Sequence, residues 1–319
     1  MGIKITPSRT RGGFVSRNSK LNKIALHDNV QPMIENSSPK KKVKPDLPGG
    51  FRDYGPADAR LKQWILDTAR RTFESFGFEP LETSAVQKTD VLTGGETDSQ
   101  KIIFNVRGSQ EKESDTSLRF DLTVPLARFV ATNPEIPKPF KRYEIGRVWR
   151  GERQQAGRYR EFTQADADIV GAASPAADAE IIAVIYATLR ALGIEKFIIK
   201  ISDRKELSAL PTLAGFPAEQ LWAALRIIDK QDKIGKSGIA DELQKEFGKE
   251  PTEKIMAFLA APPETTGTLA EIAAMLNAMG IEERYWRIDR TLVRGLSYYT
   301  GPVFETILTA RRGPPDCRT

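Results

Sequence analysis

The first strong pattern along the chain is a stripe of apolar residues spaced three or four positions apart after Pro56. It predicts a helix from 56 to about 76, because residues at this spacing share one face of an α-helix. Gly77 ends the helix, and a strand is predicted at 78–83. The stripe comprises Leu61, Trp64, Ile65, Thr68, Thr72, Phe73 and Phe76. A surface helix docked on the protein's own sheet is sufficient to explain it.

Further along, short alternating segments and helical segments are interleaved. Strands are predicted at 101–106, 118–123, 142–150, 161–171, 197–201, 285–289 and 302–308. Helices are predicted at 124–131, at 175–192 and through much of 203–259. Strands joined by irregular loops, with helices inserted, indicate an α+β fold with an antiparallel sheet flanked by helices. The helix-rich block 203–276 is predicted to be an insertion within a body of residues 46–310.

Two alternating segments, 141–150 and 161–171, flank a loop rich in Arg, Gly and Gln. Alternate residues of a strand share a face, which groups Phe162, Gln164, Asp166 and Asp168. An aromatic ring, an amide and carboxylates suit a nucleobase beside a small cationic ligand. The same alternation is also typical of a hairpin whose polar face meets water.

Arginines are concentrated in this hairpin, and the guanidinium fork matches phosphate oxygens. They are Arg147, Arg150, Arg153, Arg158 and Arg160. A polyphosphate site is the functional interpretation. The structural interpretation makes Arg147, Arg153 and Arg160 surface or salt-bridge residues and Trp149 a packing residue, and it places Tyr285 and Trp286 in a core strand. No G-x-G-x-x-G or P-loop lysine motif is present, so a Rossmann-type or Walker-type nucleotide site is not predicted.

Composition restricts the chemistry. The chain has one cysteine, Cys317, and one histidine, His27, so an internal disulfide, a cysteine metal cluster and histidine catalysis in the body are excluded. The remaining candidates are Arg, carboxylates, Tyr, Gln and a bound ion. No apolar run approaches the roughly 20 residues that span a membrane, and a reducing cytoplasm is the expected location.

Positive charge is concentrated at the start. Residues 1–45 contain ten of the 48 Lys and Arg but only two of the 42 Asp and Glu. The rest of the chain therefore has 38 basic and 40 acidic residues. A disordered, solvated arm is predicted, because little apolar surface offsets the ordering entropy. A myristoylation pattern, an organelle presequence, a nuclear signal and an RNA-contacting patch are the alternatives.

The segment 292–305, LVRGLSYYTGPVFE, is the second one with distinctive chemistry: Arg294 precedes a glycine, and Tyr298 and Tyr299 follow. Together with 118–125, LRFDLTVP, and with 141–171, it resembles class II histidyl-tRNA synthetases from about residue 46 to 309. The segment 56–83 resembles motif 1 of that class, 141–171 motif 2, and 292–305 the histidine-binding motif. Several separated motifs in the right order make the resemblance specific.

The resemblance implies a two-step reaction. Histidine's carboxylate attacks the α-phosphorus of ATP, and the histidyl group then passes to the 3′ end of tRNA(His). By position, Arg150 meets the α-phosphate, Glu152 the adenine and Mg²⁺, Arg158 the γ-phosphate and Phe162 the adenine ring, while Arg294 is a second catalytic arginine.

The resemblance also implies a histidine site. Asp121, Thr123 and Gln164 match the residues around the α-amino group, and Asp168, Tyr298 and Tyr299 those around the imidazole. It further implies a homodimer formed through motif 1 and an insertion that approaches the tRNA acceptor arm.

The chain departs from the family at Ser297, where Asp is usual, and after residue 309. Residues 311–319 are off-pattern, where the family continues into motif 3 and an anticodon-binding domain. A truncated, frameshifted or fragmentary product is therefore expected. The competing functions are a histidine-sensing regulatory subunit of ATP phosphoribosyltransferase, whose ATP-handling residues need not be kept, and an RNA-binding scaffold guided by the basic arm.

Overall fold

A computed structural model describes residues 44–94, 102–110, 112–153, 157–262, 267–293 and 300–309. The arm, apart from 44–45, and the tail 311–319 lie outside these residues. The strands are β1 (Glu79–Pro80), β2 (Val86–Lys88), β3 (Phe104–Val106), β4 (Thr116–Leu118), β5 (Phe140–Trp149), β6 (Glu161–Val170), β7 (Phe197–Asp203), β8 (Trp286–Ile288) and β9 (Pro302–Leu308). The helices are α1 (Pro56–Ser75), α2 (Thr89–Thr93), α3 (Thr123–Thr132), α4 (Pro175–Ala191), α5 (Arg204–Ser208), α6 (Leu210–Ala214), α7 (Leu221–Ile228), α8 (Gln231–Phe247), α9 (Lys249–Ala260) and α10 (Thr268–Ala278).

The β5–β6 hairpin carries α1 and α4 on one face. Its strands pair antiparallel over ten residues, from Phe140↔Val170 to Trp149↔Glu161, and β1 adds parallel to β5. Side chains of Tyr143, Ala165 and Ala167 pack with Phe73 of α1 and Val184 of α4. Because side chains alternate between faces, this packing leaves the other set of β5 and β6 residues directed away from the two helices.

Two further three-stranded sheets complete the described strands. The order β2–β4–β3 is antiparallel throughout, while β8–β7–β9 pairs β7 parallel to β8 and antiparallel to β9. The core of the latter sheet includes Phe197, Ile199 and Ile201 with apolar residues of α4 and α10. The α+β class is confirmed, and two of the three sheets are mixed.

The helices α5–α9 enclose a separate apolar cluster. It includes Leu207, Leu225, Ile228, Leu243 and Ile255, each almost fully buried. The helix α10 lies within the sequence range 203–276 but packs against α4, in the core around β7.

The strands predicted at 118–123 and 78–83 have different bounds in the structure. The strand β4 is Thr116–Leu118, and the chain turns into α3 at Thr123, because the carboxylate of Asp121 accepts a hydrogen bond (3.1 Å) from the backbone N–H of Val124. Strand β1 is only Glu79–Pro80, and it is followed by a single further bond from Leu81 N to Tyr143 O (2.9 Å). The strand predicted at 101–106 is shorter in the structure, where β3 is Phe104–Val106, and residue 101 lies outside the described residues.

Candidate functional site

Cross-strand register groups polar side chains on the face of β5 and β6 that is turned away from α1 and α4. Arg142 opposes Asp168, and Glu144 opposes Asp166. Gly146 opposes Gln164, and these directly opposed residues point to the same side of the hairpin. Arg142, Glu144, Gln164 and Asp166 are all buried. The polar face predicted for 161–171 is therefore a buried polar floor and not a water-facing surface.

Arg150 directly follows β5 and contacts two other predicted site residues, Phe162 and Gln164. Its Nε donates to the carbonyl of Phe120 (3.0 Å) and its Nη2 to Oε1 of Gln164 (3.3 Å). The guanidinium carbon lies 5.2 Å from the ring centroid of Phe162. Arg150, Phe162 and Gln164 thus form one cluster, in which the fork is held in place before any phosphate arrives.

Gln164 is oriented by a residue that the sequence assigned to this face without a role. Its Nε2 donates to both carboxylate oxygens of Asp166, at 3.2 and 3.1 Å, so the amide oxygen turns to Arg150. Burial raises the pKa of Asp166 above that of an ordinary aspartate. The floor therefore combines a fixed amide with a carboxylate whose charge is costly.

Asp121 lies beside this cluster, at the N-terminus of α3. Burial raises its pKa, while hydrogen bonds from Val124 and Thr123 and the positive charge of Arg150 oppose the shift. The negative charge of Asp168 adds to the increase. A buried carboxylate in this state gains most from an incoming cation such as an ammonium group. Thr123 itself is exposed at the first turn.

On the far side of the floor, Asp168 pairs with Arg142. Oδ2 of Asp168 forms an ion pair with Nη2 of Arg142 (2.8 Å), and the same Nη2 donates a hydrogen bond to the carbonyl of Leu122 (2.9 Å). Leu122 directly follows Asp121. One guanidinium therefore connects the strand that carries Asp168 with the loop that carries Asp121 and Thr123.

Sequence reasoning assigned no role to the ion pairs beneath this floor. Glu144 accepts from Nη1 of Arg119 (2.6 Å) and from the backbone N–H and hydroxyl of Thr83 (3.1 and 3.0 Å), and lies 3.6 Å from Nη1 of Arg142. Gly146 makes room for this arrangement, because a Cβ there would meet the guanidinium of Arg119. The available signal was the alternation of Arg142, Glu144 and Gly146 opposite the polar residues of 161–171.

The loop between β5 and β6 carries two other predicted residues, Glu152 and Arg158, whose side chains are exposed. The backbone carbonyl of Glu152 accepts from Nε of Arg160 (3.2 Å). Among the described residues, no group of three or more carboxylate, His or Cys side chains is placed to hold a metal ion. A single carboxylate such as Glu152 fits Mg²⁺ only in the usual manner for nucleotide sites, with phosphate oxygens supplying further ligands.

Three predicted residues, Arg294, Tyr298 and Tyr299, lie outside the described residues. The chain enters this segment from the buried Val293 and leaves it before Gly301, whose carbonyl accepts from the backbone N–H of Arg204 (3.1 Å).

The structural interpretations are confirmed in three places. Arg147 is exposed and 3.5 Å from Glu161, and Tyr285 and Trp286 are buried in the core, with Tyr285 just before β8. No described helix is both long enough and apolar enough to cross a bilayer.

Comparison with known proteins identifies the family. A family model described as histidyl-tRNA synthetase matches residues 50–314. The histidine–tRNA ligase of Wolinella succinogenes is 40% identical over 294 residues, which cover 84% of this chain and 66% of that protein. The crystal structure of a histidyl-tRNA synthetase from a Nostoc species has a TM-score of 0.74 at 32% identity, covering 84% of this chain and 66% of that one.

A Bacillus halodurans structure, described as an ATP phosphoribosyltransferase regulatory subunit/histidyl-tRNA synthetase, shares the fold. Its TM-score is 0.66 at 22% identity, covering 84% of this chain and 74% of that one. The chain spans 66% of the length of the Wolinella succinogenes protein and 65% of the length of the histidine–tRNA ligase of Clostridium tetani.

Proposed function

Because the chain belongs to the histidyl-tRNA synthetase family, we propose that it activates histidine with ATP and transfers the histidyl group to tRNA(His). The observation that carries the proposal is the cluster of Arg150, Phe162 and Gln164, together with the buried carboxylate of Asp121 and the half-buried carboxylate of Asp168. Such a cluster offers a phosphate ligand, an aromatic platform and separate partners for the α-amino group and the imidazole of histidine.

In the first step, an oxygen of histidine's carboxylate attacks the α-phosphorus of ATP and pyrophosphate leaves. Positioning and positive charge dominate phosphoryl chemistry, so no protein nucleophile is needed. We assign the α-phosphate to Arg150, whose fork is already oriented by Phe120 and Gln164, and adenine stacking to Phe162. Arg158 is assigned to the γ-phosphate, and Arg294 is assigned to the developing charge between substrate and α-phosphate.

Recognition of histidine uses both ends of the floor. Asp121, Thr123 and Gln164 are assigned to the α-amino group, and Asp168, with Tyr298 and Tyr299, to the imidazole. A site that hydrogen-bonds both ring nitrogens rejects amino acids without them, because its own polar groups are then left unpaired. The negative charge of Asp168 is close enough to raise the pKa of Asp121, which suits a ligand with positive charge at one end and a polar ring at the other.

In the second step, a ribose hydroxyl at the 3′ end of tRNA attacks the activated carbonyl carbon and AMP leaves. Mg²⁺ would shield the phosphates of bound ATP, with Glu152 as its protein ligand. The insertion 203–276, in which α5–α9 form the separate helical unit, is proposed to approach the acceptor arm. We place the reaction in the cytoplasm on the strength of the single cysteine in the sequence.

A homodimer through α1 is also proposed. The stripe on α1 divides in the structure: Thr68, Thr72 and Phe73 are buried, whereas Leu61 and Trp64 are 50% and 48% exposed. The exposed half of the stripe is the surface that a second copy would cover. Sedimentation analysis of the chain and of a Trp64→Glu variant tests this, since a monomeric wild type would contradict it.

Histidine-dependent exchange of labelled pyrophosphate into ATP tests the activity. We expect exchange with histidine and none with other amino acids, and we expect Arg294→Ala to abolish it while far-ultraviolet circular dichroism is unchanged. Histidine binding without exchange or tRNA charging would instead favour a histidine-sensing regulatory protein. Absence of both binding and exchange would contradict the proposal.

A further inference from the structure

Arg142 is the largest side chain that is completely buried in the described part of the protein, with 0% of its surface exposed. Its Nη2 makes two contacts at once, to Oδ2 of Asp168 (2.8 Å) and to the carbonyl of Leu122 (2.9 Å). Its Nη1 lies 3.6 Å from Oε2 of Glu144. The guanidinium therefore lies between β6, β5 and the loop that leads into α3.

Burying a guanidinium is costly unless charges and hydrogen bonds offset the loss of water. The Nε and Nη1 atoms of Arg142 have no hydrogen-bond acceptor within the described residues, so its two carboxylate partners and one carbonyl carry the compensation. Glu144 is already shared with Arg119 and Thr83. Asp168 is thus the closest carboxylate partner of Arg142, and the two side chains fix each other's position.

The two ends of this contact belong to different parts of the proposed histidine site. Asp168 is assigned to the imidazole, whereas Leu122 joins Asp121 and Thr123, which are assigned to the α-amino group. We propose that Arg142 is a positioning residue that sets the separation between these two subsites, and so makes the site specific for an amino acid of histidine's length. This inference rests on the proposed function, because it takes Asp168 and Asp121 as histidine ligands.

The rigid, planar shape of the guanidinium is essential to this role. It holds Nη2 beside the carboxylate of Asp168 and against the carbonyl of Leu122 at the same time, whereas a lysine supplies the same charge as a single point on a flexible stem. Arg142→Lys therefore keeps the buried charge but loses the rigid connection between Asp168 on β6 and the 121–123 loop. Arg142→Met loses both the charge and this connection.

The test is the equilibrium affinity of the full chain for L-histidine and, separately, for ATP, measured by isothermal titration calorimetry. We expect the Kd for histidine to rise at least about tenfold in Arg142→Met, and by about three- to tenfold in Arg142→Lys. The Kd for ATP should stay within about twofold in both, because Phe162 lies six register positions along the hairpin from Arg142 and Arg150 lies beyond that. A matched rise in the Kd for both ligands would overturn the inference in favour of a purely structural role.

Arg290 provides a matched control for the loss of a buried arginine. It is 7% exposed, its Nε is 2.8 Å from Oε2 of Glu206 and its Nη1 donates to the carbonyl of Pro262 (3.1 Å). Arg290→Met removes a carboxylate pair and a carbonyl contact of the same kind at a different place. We expect it to leave histidine affinity within about twofold of wild type.

If Arg142→Met does not fold, Arg142→Lys decides the question. Wild-type histidine affinity in a folded Arg142→Lys variant would overturn the inference. The outcome is separable from that of the proposed function: if the wild-type chain itself binds no histidine, the proposed function and this inference both fail. If the wild type binds histidine and the Arg142 variants bind it equally well, only the inference fails.

Discussion

The arginines along β5 differ in function because they differ in the face they occupy and in burial. Arg147 and Arg142 both belong to β5, yet the first is exposed beside Glu161 and the second is completely buried against Asp168. Arg150, at the end of the same strand, is half-buried and contacts Gln164 and Phe162. An arginine that is held in place but still accessible is the kind that binds a phosphate.

Arg150→Met is therefore expected to lower histidine-dependent pyrophosphate exchange by about a hundredfold or more, since a preorganised donor to developing charge is lost. The control is Arg147→Met on the same strand, whose side chain is 64% exposed. Its exchange rate should match the wild type within about twofold. Exchange by Arg150→Met at the wild-type rate would show that Arg150 does not contact the reacting phosphate.

Asp166 gives a prediction about pH. Burial raises its pKa, so the folded protein holds this proton more tightly than the unfolded chain does, and the contribution to stability falls as pH rises through the raised pKa. Asp166→Asn should therefore gain stability relative to wild type as pH increases from about 4 to about 7. Urea unfolding at each pH measures this difference.

Asp289 is the control, because its pKa is shifted in the opposite direction to that of Asp166. Although burial acts to raise its pKa, hydrogen bonds from Thr291 and Lys200 lower it below the ordinary value. Its contribution is present at neutral pH and is lost as pH falls through the lowered pKa, so Asp289→Asn should lose more stability at about pH 7 than at about pH 3. If the two variants change in the same direction with pH, the assigned environment of Asp166 is wrong.

Sequence alone could group Phe162, Gln164, Asp166 and Asp168, because strand alternation is a property of the residues' spacing. The sequence could not predict which residues these side chains, or the others beside them on this face, form ion pairs with. The pairing of Arg142 with Asp168 depends on the register of β5 against β6, and the contact of Arg119 with Glu144 depends on a third segment crossing the hairpin. Burial of these ion pairs is a tertiary property that no local pattern contains.

Elements were predictable where they are long. The predicted strand 302–308 coincides with β9, and the predicted helices 56–76 and 175–192 end within one residue of α1 and α4. The three-residue strand β2 and the five-residue helix α2 were not predicted, since neither spans enough residues to establish a period. Local capping chemistry also fixed boundaries, as at Asp121 before α3.

The start of α4 illustrates that capping contribution. Ser174 precedes the helix, and its hydroxyl oxygen accepts a hydrogen bond (3.2 Å) from the backbone N–H of Ala176. Ser174→Ala should lower the free energy of unfolding by about 1 kcal/mol, while Ser174→Asp should retain most of it. Ser208→Ala is the control, because its exposed hydroxyl donates to the carbonyl of Arg204 and is not the N-cap acceptor of a helix. Urea unfolding that fails to separate Ser174→Ala from Ser208→Ala would contradict the assigned cap.

At the scale of the whole molecule, charge is divided between two regions. The net charge of +6 comes from residues 1–45, since the remaining 38 basic and 40 acidic residues nearly cancel. The proposed site draws its positive charge from single arginines such as Arg150, whose neighbours include carboxylates. Long-range attraction of a polyanion such as tRNA is therefore expected to depend on the arm, whereas histidine and ATP depend on the body.

Deleting residues 1–45 should consequently weaken tRNA binding at low salt and leave histidine affinity unchanged. The physical reason is counterion release: each phosphate neutralised by a Lys or Arg adds roughly 0.7 to 0.9 to the slope of log affinity against log salt concentration, so removing arm contacts must flatten that slope. A matched variant keeps the arm's length but replaces Lys40, Lys41, Lys42 and Lys44 with Gln, which separates charge from chain length. Filter binding across a salt series measures both slopes. If the deleted, substituted and intact chains share one slope, the arm does not contact RNA and acts only as a solvated tail.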